Sequence, residues 1–268
     1  MAIALTAGMR NNLISLQNVD KLMTTTQTRL ATGKKVNTAL DDPVNFFKSK
    51  DHYNRASDLA AKKDGMSEAI KTIEAANTGI EKIEALLNQM KSLASAAKTS
   101  SNTTALATQF NAIISQVAYM ADDSNYGGSN LLNGDELSVE FDENGDNTLT
   151  VTGFSAATSG SVAGVSIANA NFASNAAIEA GAISDIDAAI SALRTEAQRL
   201  SSSLSTISIR SEFTSEMVNT LNTGGDNLTL ADMNEEGANM LMLQTRQNLG
   251  TTSLSLASQA AQAVLRLF

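Results

Sequence analysis

The chain has 268 residues with 43% hydrophobic content, one proline and no cysteine or tryptophan, which excludes wholesale disorder, disulfides and thiolate metal sites. Aromatic residues make up only 4%, so the expected core is aliphatic and thin, as in helical bundles and coiled coils. A formal charge of -9 argues against nucleic acid, whose phosphates require a basic surface.

The opening "MAIALTAGMR" lacks a basic start, a sustained apolar run and a cleavage site, so no cleaved secretory signal is expected. No apolar stretch reaches the roughly 20 residues of a membrane-spanning helix. From Leu5 to Leu30, Met9, Leu16, Met23 and Leu30 recur every seven residues with Leu13 and Val19 between them, a helical seam. "ATGKKVNTALDDP" interrupts it. Gly33 can end a helix, Pro43 can occupy the first position of the next, and Asp41 or Asp42 is the expected cap, with Asn37 in the turn between.

A second helix is predicted over 44–98, where Leu59, Met66, Ile73, Ile80 and Leu87 repeat every seven residues. "TSSNTT" breaks it, and a shorter helix follows on Leu106, Phe110, Ile113, Val117 and Met120, giving a helical hairpin. The pattern then alternates. Leu137, Val139 and Phe141 before Asn144-Gly145, and Leu149 and Val151 after it, predict a β-hairpin turning at the Asn-Gly pair. Ile183, Ile186, Ile190, Leu193, Ala197, Leu200, Leu204 and Ile207 step by three and four along a long returning helix to about Leu221. A loop is expected around "NTGGDNLTLAD", followed by a last helix.

The fold class is therefore mainly α: a long-helix bundle or coiled coil with a small central β-hairpin, in which the terminal helices pair. Five segments follow: 1–43, an N-terminal helix and joint; 44–133, a helical hairpin; 134–173, a small β region; 174–222, the returning helix; and 223–268, a joint and C-terminal helix.

The last helix is unusually apolar for a chain end. Leu254, Ala257, Ala261, Leu265 and Phe268 share one face, while Leu249, Leu256, Val264 and Leu267 lie at angles that a single neighbouring helix cannot cover. Burying about ten such side chains is worth at most roughly 15–30 kcal/mol, and leaving them in water invites aggregation. Head-to-tail association uses many faces at once, and a contact of that kind that does not close produces a filament. The expected self-association set is thus Met9, Leu13, Leu16, Met23, Leu30, Leu249, Leu254, Leu256, Ala257, Ala261, Val264, Leu265, Leu267 and Phe268.

"RLATGKKVNTALDDP" closely resembles the bacterial flagellin signature of Arg-Leu, a small residue, Ser or Thr-Gly, two residues, Ile or Val-Asn, Ser or Thr-Ala and paired aspartates. Arg29, Leu30, Thr32, Gly33, Val36, Asn37, Ala39, Asp41 and Asp42 stand in the matching places. "QFNAIISQVAYMADDSNYGGSNLLNG" is similar to the family segment before its first β turn. Gln244, Gln247, Gly250, Leu254, Ala257, Gln259, Ala260, Gln262, Val264, Leu265 and Leu267 resemble its C-terminal helix. Pro43 departs from the usual Ala after the aspartates and stiffens the joint.

The resemblance implies a structural subunit that is exported unfolded without a cleaved signal and polymerises into the extracellular flagellar filament. Terminal helices disordered in the free subunit then form the inner tube of the polymer. It also implies an export apparatus, a chaperone, and cap and hook-junction proteins as partners, with no cofactor. A hook-filament junction protein shares the terminal design, and a soluble coiled-coil module is the rival from another class. In flagellins detected by the mammalian innate receptor, an Arg, a Leu and a Glu form the docking patch. The matching positions here are Gln89, Leu93 and Ser115 or Gln116, so receptor activation is expected to be weak.

Other motifs carry less. "FDENGDNTL" offers alternating oxygen ligands, but counting from Asp142 the glycine is fourth and position twelve is Gly153, which does not fit a calcium-binding EF-hand loop. His52 is the only histidine, so no zinc pattern is expected. Asp41 and Asp42 are adjacent and point apart, which suits capping better than acid-base catalysis. Lys34, Lys35, Lys48 and Lys50 could pair across subunits with the acidic "DMNEEG", each pair contributing about 0–1 kcal/mol. Met233, Met240 and Met242 offer adaptable side chains to an interface that must slide.

Overall fold

The computed structural model describes residues 7–158, 160–174 and 178–265. In chain order these form α1 (Ala7–Thr32), α2 (Pro43–Ala97), α3 (Thr103–Asp123), β1 (Glu136–Glu140), β2 (Thr148–Thr152), β3 (Ala157–Thr158), β4 (Ser161–Val162) and β5 (Val165–Ser166). A π-helical turn (Ile178–Ile183), α4 (Ser184–Thr229) and α5 (Met233–Leu265) complete the chain. Two compact units result, one of residues 1–54 with 220–268 and one of residues 55–219.

In the 55–219 unit the seven-residue repeat of α2 is the core. Leu59, Met66, Ile73, Ile80, Leu87 and Ala94 are all buried, as are Ile186, Leu193, Leu200 and Ile207 on α4. A repeat of seven keeps one seam facing its partner along helices of any length. The two helices run antiparallel, as the pairing of Arg194 with Glu84 and of Lys91 with Asp187 requires. Ala107, Phe110, Ile114, Val117 and Ala121 of α3 complete the same core. Asn102 caps α3 by accepting from the Ala105 amide at 3.3 Å. Gly79 is required where α2 passes the end of α3, because a Cβ there would collide with Ser124 Oγ and stand 2.7 Å from Leu132 Cδ1.

The predicted hairpin is present as β1 and β2, with Leu137 opposite Val151 and Val139 opposite Leu149. It does not turn tightly at Asn144-Gly145. Phe141 to Asn147 form a wider loop, closed by the Phe141 amide on the Asn147 carbonyl and by Asp142 Oδ1 accepting from the Asn147 amide. Asp142 thus serves the turn, and among the described residues no cluster of three or more His, Cys, Asp or Glu could hold a metal ion. A second, three-stranded sheet (β3-β4-β5) follows, which the sequence did not announce because each strand has two residues, too few for an alternation to register.

The larger difference lies at "NTGGDNLTLAD". The stretch expected to be a loop is helical to Thr229, and only residues 230–232 separate α4 from α5. Gly225 is there for packing: a Cβ on it would stand 2.8 Å from Cζ of Tyr53. A glycine that admits a neighbouring ring costs helix propensity without ending the helix.

Candidate self-association surface

In the unit formed by the two chain ends, α1 and α5 pack antiparallel. Asn12 meets Ser253 near one end and Arg29 meets Glu236 near the other. Between them the helices approach closely at Gly250, where a Cβ would lie 2.7 Å from Leu16 Cδ2. Met9, Thr26, Glu236 and Leu243 are buried in this pair. Leu16, Val19, Met23, Leu30, Leu254, Ala257 and Ala261 are half-buried.

One antiparallel neighbour covers one seam and no more. On α5, Leu249 and Leu256 remain 66% and 62% exposed, against 4% for Leu243. Met242, Leu249 and Leu256 follow one another at intervals of seven and form a continuous apolar line away from α1. Leu241 is exposed beside it, and α1 leaves Leu13, Ile14 and Leu22 exposed in turn. Each large side chain left in water forgoes about 1.5–3 kcal/mol of burial.

The self-association residues expected from sequence therefore fall into three groups. Met9, Leu16, Met23, Leu30, Leu254, Ala257 and Ala261 lie wholly or partly within the α1–α5 pair, whereas Leu13, Leu249 and Leu256 face outward. The side chains of Val264 and Leu265, and all of Leu267 and Phe268, lie outside the described residues. Ile14, Leu22 and Leu241 also face outward and were missed by sequence reasoning, which followed the strongest heptad, and the strongest heptad marks the nearest partner.

The joint below this pair is held by backbone and side chains together. Gly33, with φ +70, ends α1 by donating to the Arg29 carbonyl at 2.8 Å. The next residues lie alongside the α4–α5 connection: the Lys35 amide donates to the Thr229 carbonyl at 2.7 Å, and the Ala231 amide to the Gly33 carbonyl at 2.9 Å. Of the paired aspartates, Asp42 caps α2 through the Asn45 amide at 3.0 Å, with Pro43 as the first helical residue. Asp41 Oδ2 turns back to accept from the Thr38 and Asn37 amides at 2.9 and 3.0 Å. These amides, that of Thr38 above all, hold its carboxyl below the ordinary carboxylate range. Asn37 anchors the other side of the turn by donating to the Lys34 carbonyl.

Two tertiary contacts in the joint carry buried polarity. Tyr53 Oη donates to Asp226 Oδ1 at 2.7 Å, and burial first, then this bond, pushes the phenol above its usual range. Arg29 donates to Glu236 Oε1 at 2.8 Å, while Glu236 Oε2 is buried without a partner. The arrangement is one of helix pairing, capping and apolar display, in which Asp41, Asp42, Arg29 and Glu236 are engaged in structure.

Residues 5–136 match the family profile of the bacterial flagellin N-terminal helical region, and residues 182–268 that of the bacterial flagellin C-terminal helical region. Flagellin FljK of Caulobacter vibrioides is 30% identical over 264 residues, covering 96% of this chain and 95% of that one. A flagellin of Brucella melitensis biotype 1 is 28% identical over 269 residues with the same coverage. A crystal structure of Bacillus cereus flagellin aligns at TM-score 0.49 and 18% identity, over 56% of this chain and 88% of that one. With both terminal regions matched in order and a relative aligned almost end to end, this chain belongs to the bacterial flagellins, the structural subunits of the flagellar filament.

Proposed function

We propose that the outward-facing residues of α1 and α5 drive polymerisation, with Leu13, Leu249 and Leu256 contacting neighbouring copies while Leu16, Met23 and Leu254 hold the pair that presents them. The observation that carries this reading is the Met242–Leu249–Leu256 line, exposed in a single chain although every member is large and apolar. A polymer in which each copy covers the next removes that surface from water, and an open, head-to-tail contact makes the product a filament. Gly33, Asn37, Asp41, Asp42 and Pro43 form the joint that ends α1 and starts α2. The chain acts as a building unit and performs no catalysis.

The subunit reaches the cell exterior through the flagellar export apparatus, escorted by a chaperone and added beneath a cap, with the first copies seated on hook-junction proteins. The absence of cysteine, so that no disulfide can lock the chain, suits passage in an unfolded state. Purified subunit mixed with fragmented filaments tests the central claim. Seeds should elongate to micrometre fibres, and removal of the last ten residues should abolish elongation while the circular dichroism of the 55–219 helices persists. A finite oligomer in light scattering, or a short zone that stops growing, overturns it in favour of a coiled-coil module or a junction protein respectively.

A further inference from the structure

The joint displays two apolar patches of its own. At the start of α2, Val44 and Phe47 are 74% and 59% exposed, and Leu40 in the preceding turn stands almost wholly in water. Lys48 shares this face, being four residues after Val44 and one after Phe47, and among the described residues it has no ion-pair partner. Asp41 and Asp42 are turned back onto the loop and the helix cap, and Lys50 lies over the Phe46 ring, so Lys48 and Asp51 are the charges left beside the patch. The second patch lies on the α4–α5 connection. Leu230 and Met233 are exposed there beside Glu235. Asp232 caps α5 and Glu236 is held by Arg29, which leaves Glu235 as the unengaged acidic group of the connection.

We propose that these patches are two halves of one contact between successive copies: Val44, Phe47 and Lys48 of one chain seat on Leu230, Met233 and Glu235 of the next. The proposal rests on the filament reading and names a partner surface that the reading leaves open. Two features single out a second copy as the occupant. The patches can complement one another, each pairing exposed aliphatic or aromatic surface with an unengaged charge for the other, Lys48 on the first and Glu235 on the second. Moreover, Glu235 lies seven residues before Met242, so it begins the same line of α5 that continues through Leu249 and Leu256. The contact is a downward continuation of the polymerisation surface into the joint. Because the two halves differ, it is heterologous and repeats along the polymer.

Seeded elongation of the full chain tests this. Lys48→Glu and Glu235→Lys should each lower the elongation rate several-fold and raise the concentration of free subunit left at the end, while leaving the far-ultraviolet circular dichroism unchanged. The double variant should recover most of the rate, since it restores opposite charges across every contact, and an equimolar mixture of the two single variants should elongate faster than either alone, since opposite charges meet wherever the two alternate. Phe47→Ser should impair elongation in a way no charge change rescues. Single variants that elongate normally, or a double variant no better than either single one, overturn the contact. So does a defect confined to secretion in cells, which would assign the face to an export partner. Failure of the unaltered chain to elongate seeds would instead sink the filament reading, so the two failures are separable.

Discussion

A methyl group on Gly225 would stand 2.8 Å from Cζ of Tyr53, whose hydroxyl donates to Asp226 one residue further along α4. The missing side chain and the hydrogen bond therefore belong to one fitted contact. Gly225→Ala gains helix propensity of about 1 kcal/mol but forces the ring from its seat, an overpacking cost of about 1–3 kcal/mol. We expect net destabilisation of the joint. Tyr53→Phe keeps the fit and loses one hydrogen bond, about 1 kcal/mol, leaving Asp226 to water. Amide exchange at Lys35 and Val36, which donate to Thr229 three residues beyond Asp226, should rise more in Gly225→Ala than in Tyr53→Phe. Equal exchange in both would separate the glycine from the ring.

Gly250 brings α5 close to α1, against the Leu16 side chain. Leu16 can turn aside for a single methyl, so Gly250→Ala should assemble nearly normally. Gly250→Leu places a branched side chain at the seam and should part the helices, with faster amide exchange along α1 and little or no seeded elongation. Wild-type elongation by Gly250→Leu would show that the pair need not stay closed.

Arg29 offsets the burial of Glu236, whose second carboxylate oxygen already lacks a partner. Arg29→Met strands the charge and should cost about 1–3 kcal/mol in denaturant unfolding, the lower part of the range reflecting the partial exposure of Arg29. Replacing both, Arg29→Met with Glu236→Leu, should cost less than Arg29→Met alone. If the double variant is the less stable, the ion pair contributes specific stability beyond satisfying its own burial.

Asp41 binds its proton more weakly in the folded joint than in the unfolded chain, because backbone amides hold its charged form. Its stabilising contribution is complete above the unfolded carboxylate range of about 3.9 and is lost as pH falls through the lower folded value. Acidification below about pH 4 should therefore raise amide exchange at Asn37 and Thr38. Asp41→Asn should raise it already at neutral pH and flatten that response. An unaltered acid profile in Asp41→Asn would shift the cause to another carboxylate.

Much of this was legible in the order of residues. The run Leu59, Met66, Ile73, Ile80, Leu87 on α2 is buried along its whole length, as is Ile186, Leu193, Leu200, Ile207 on α4, because a seven-residue apolar repeat lines one helix face that must find a packed neighbour in water. Pro43 behind Asp42 marked the start of α2, and Gly33 the end of α1, through backbone restrictions local to each residue. Sequence periodicity could show that α5 carries more apolar residues than one neighbour covers. It could not say which of them α1 takes. In the fold α1 takes the side of α5 on which Gly250 lies against Leu16, and Leu249 and Leu256 stay outside. It likewise took the folded chain to show that Gly225 accommodates a ring and does not end a helix, since a glycine's role depends on a residue 172 positions away. Sequence determined the helices because helix formation depends on neighbours three, four and seven residues apart; tertiary structure decided their faces, because burial depends on whatever arrives from elsewhere in the chain.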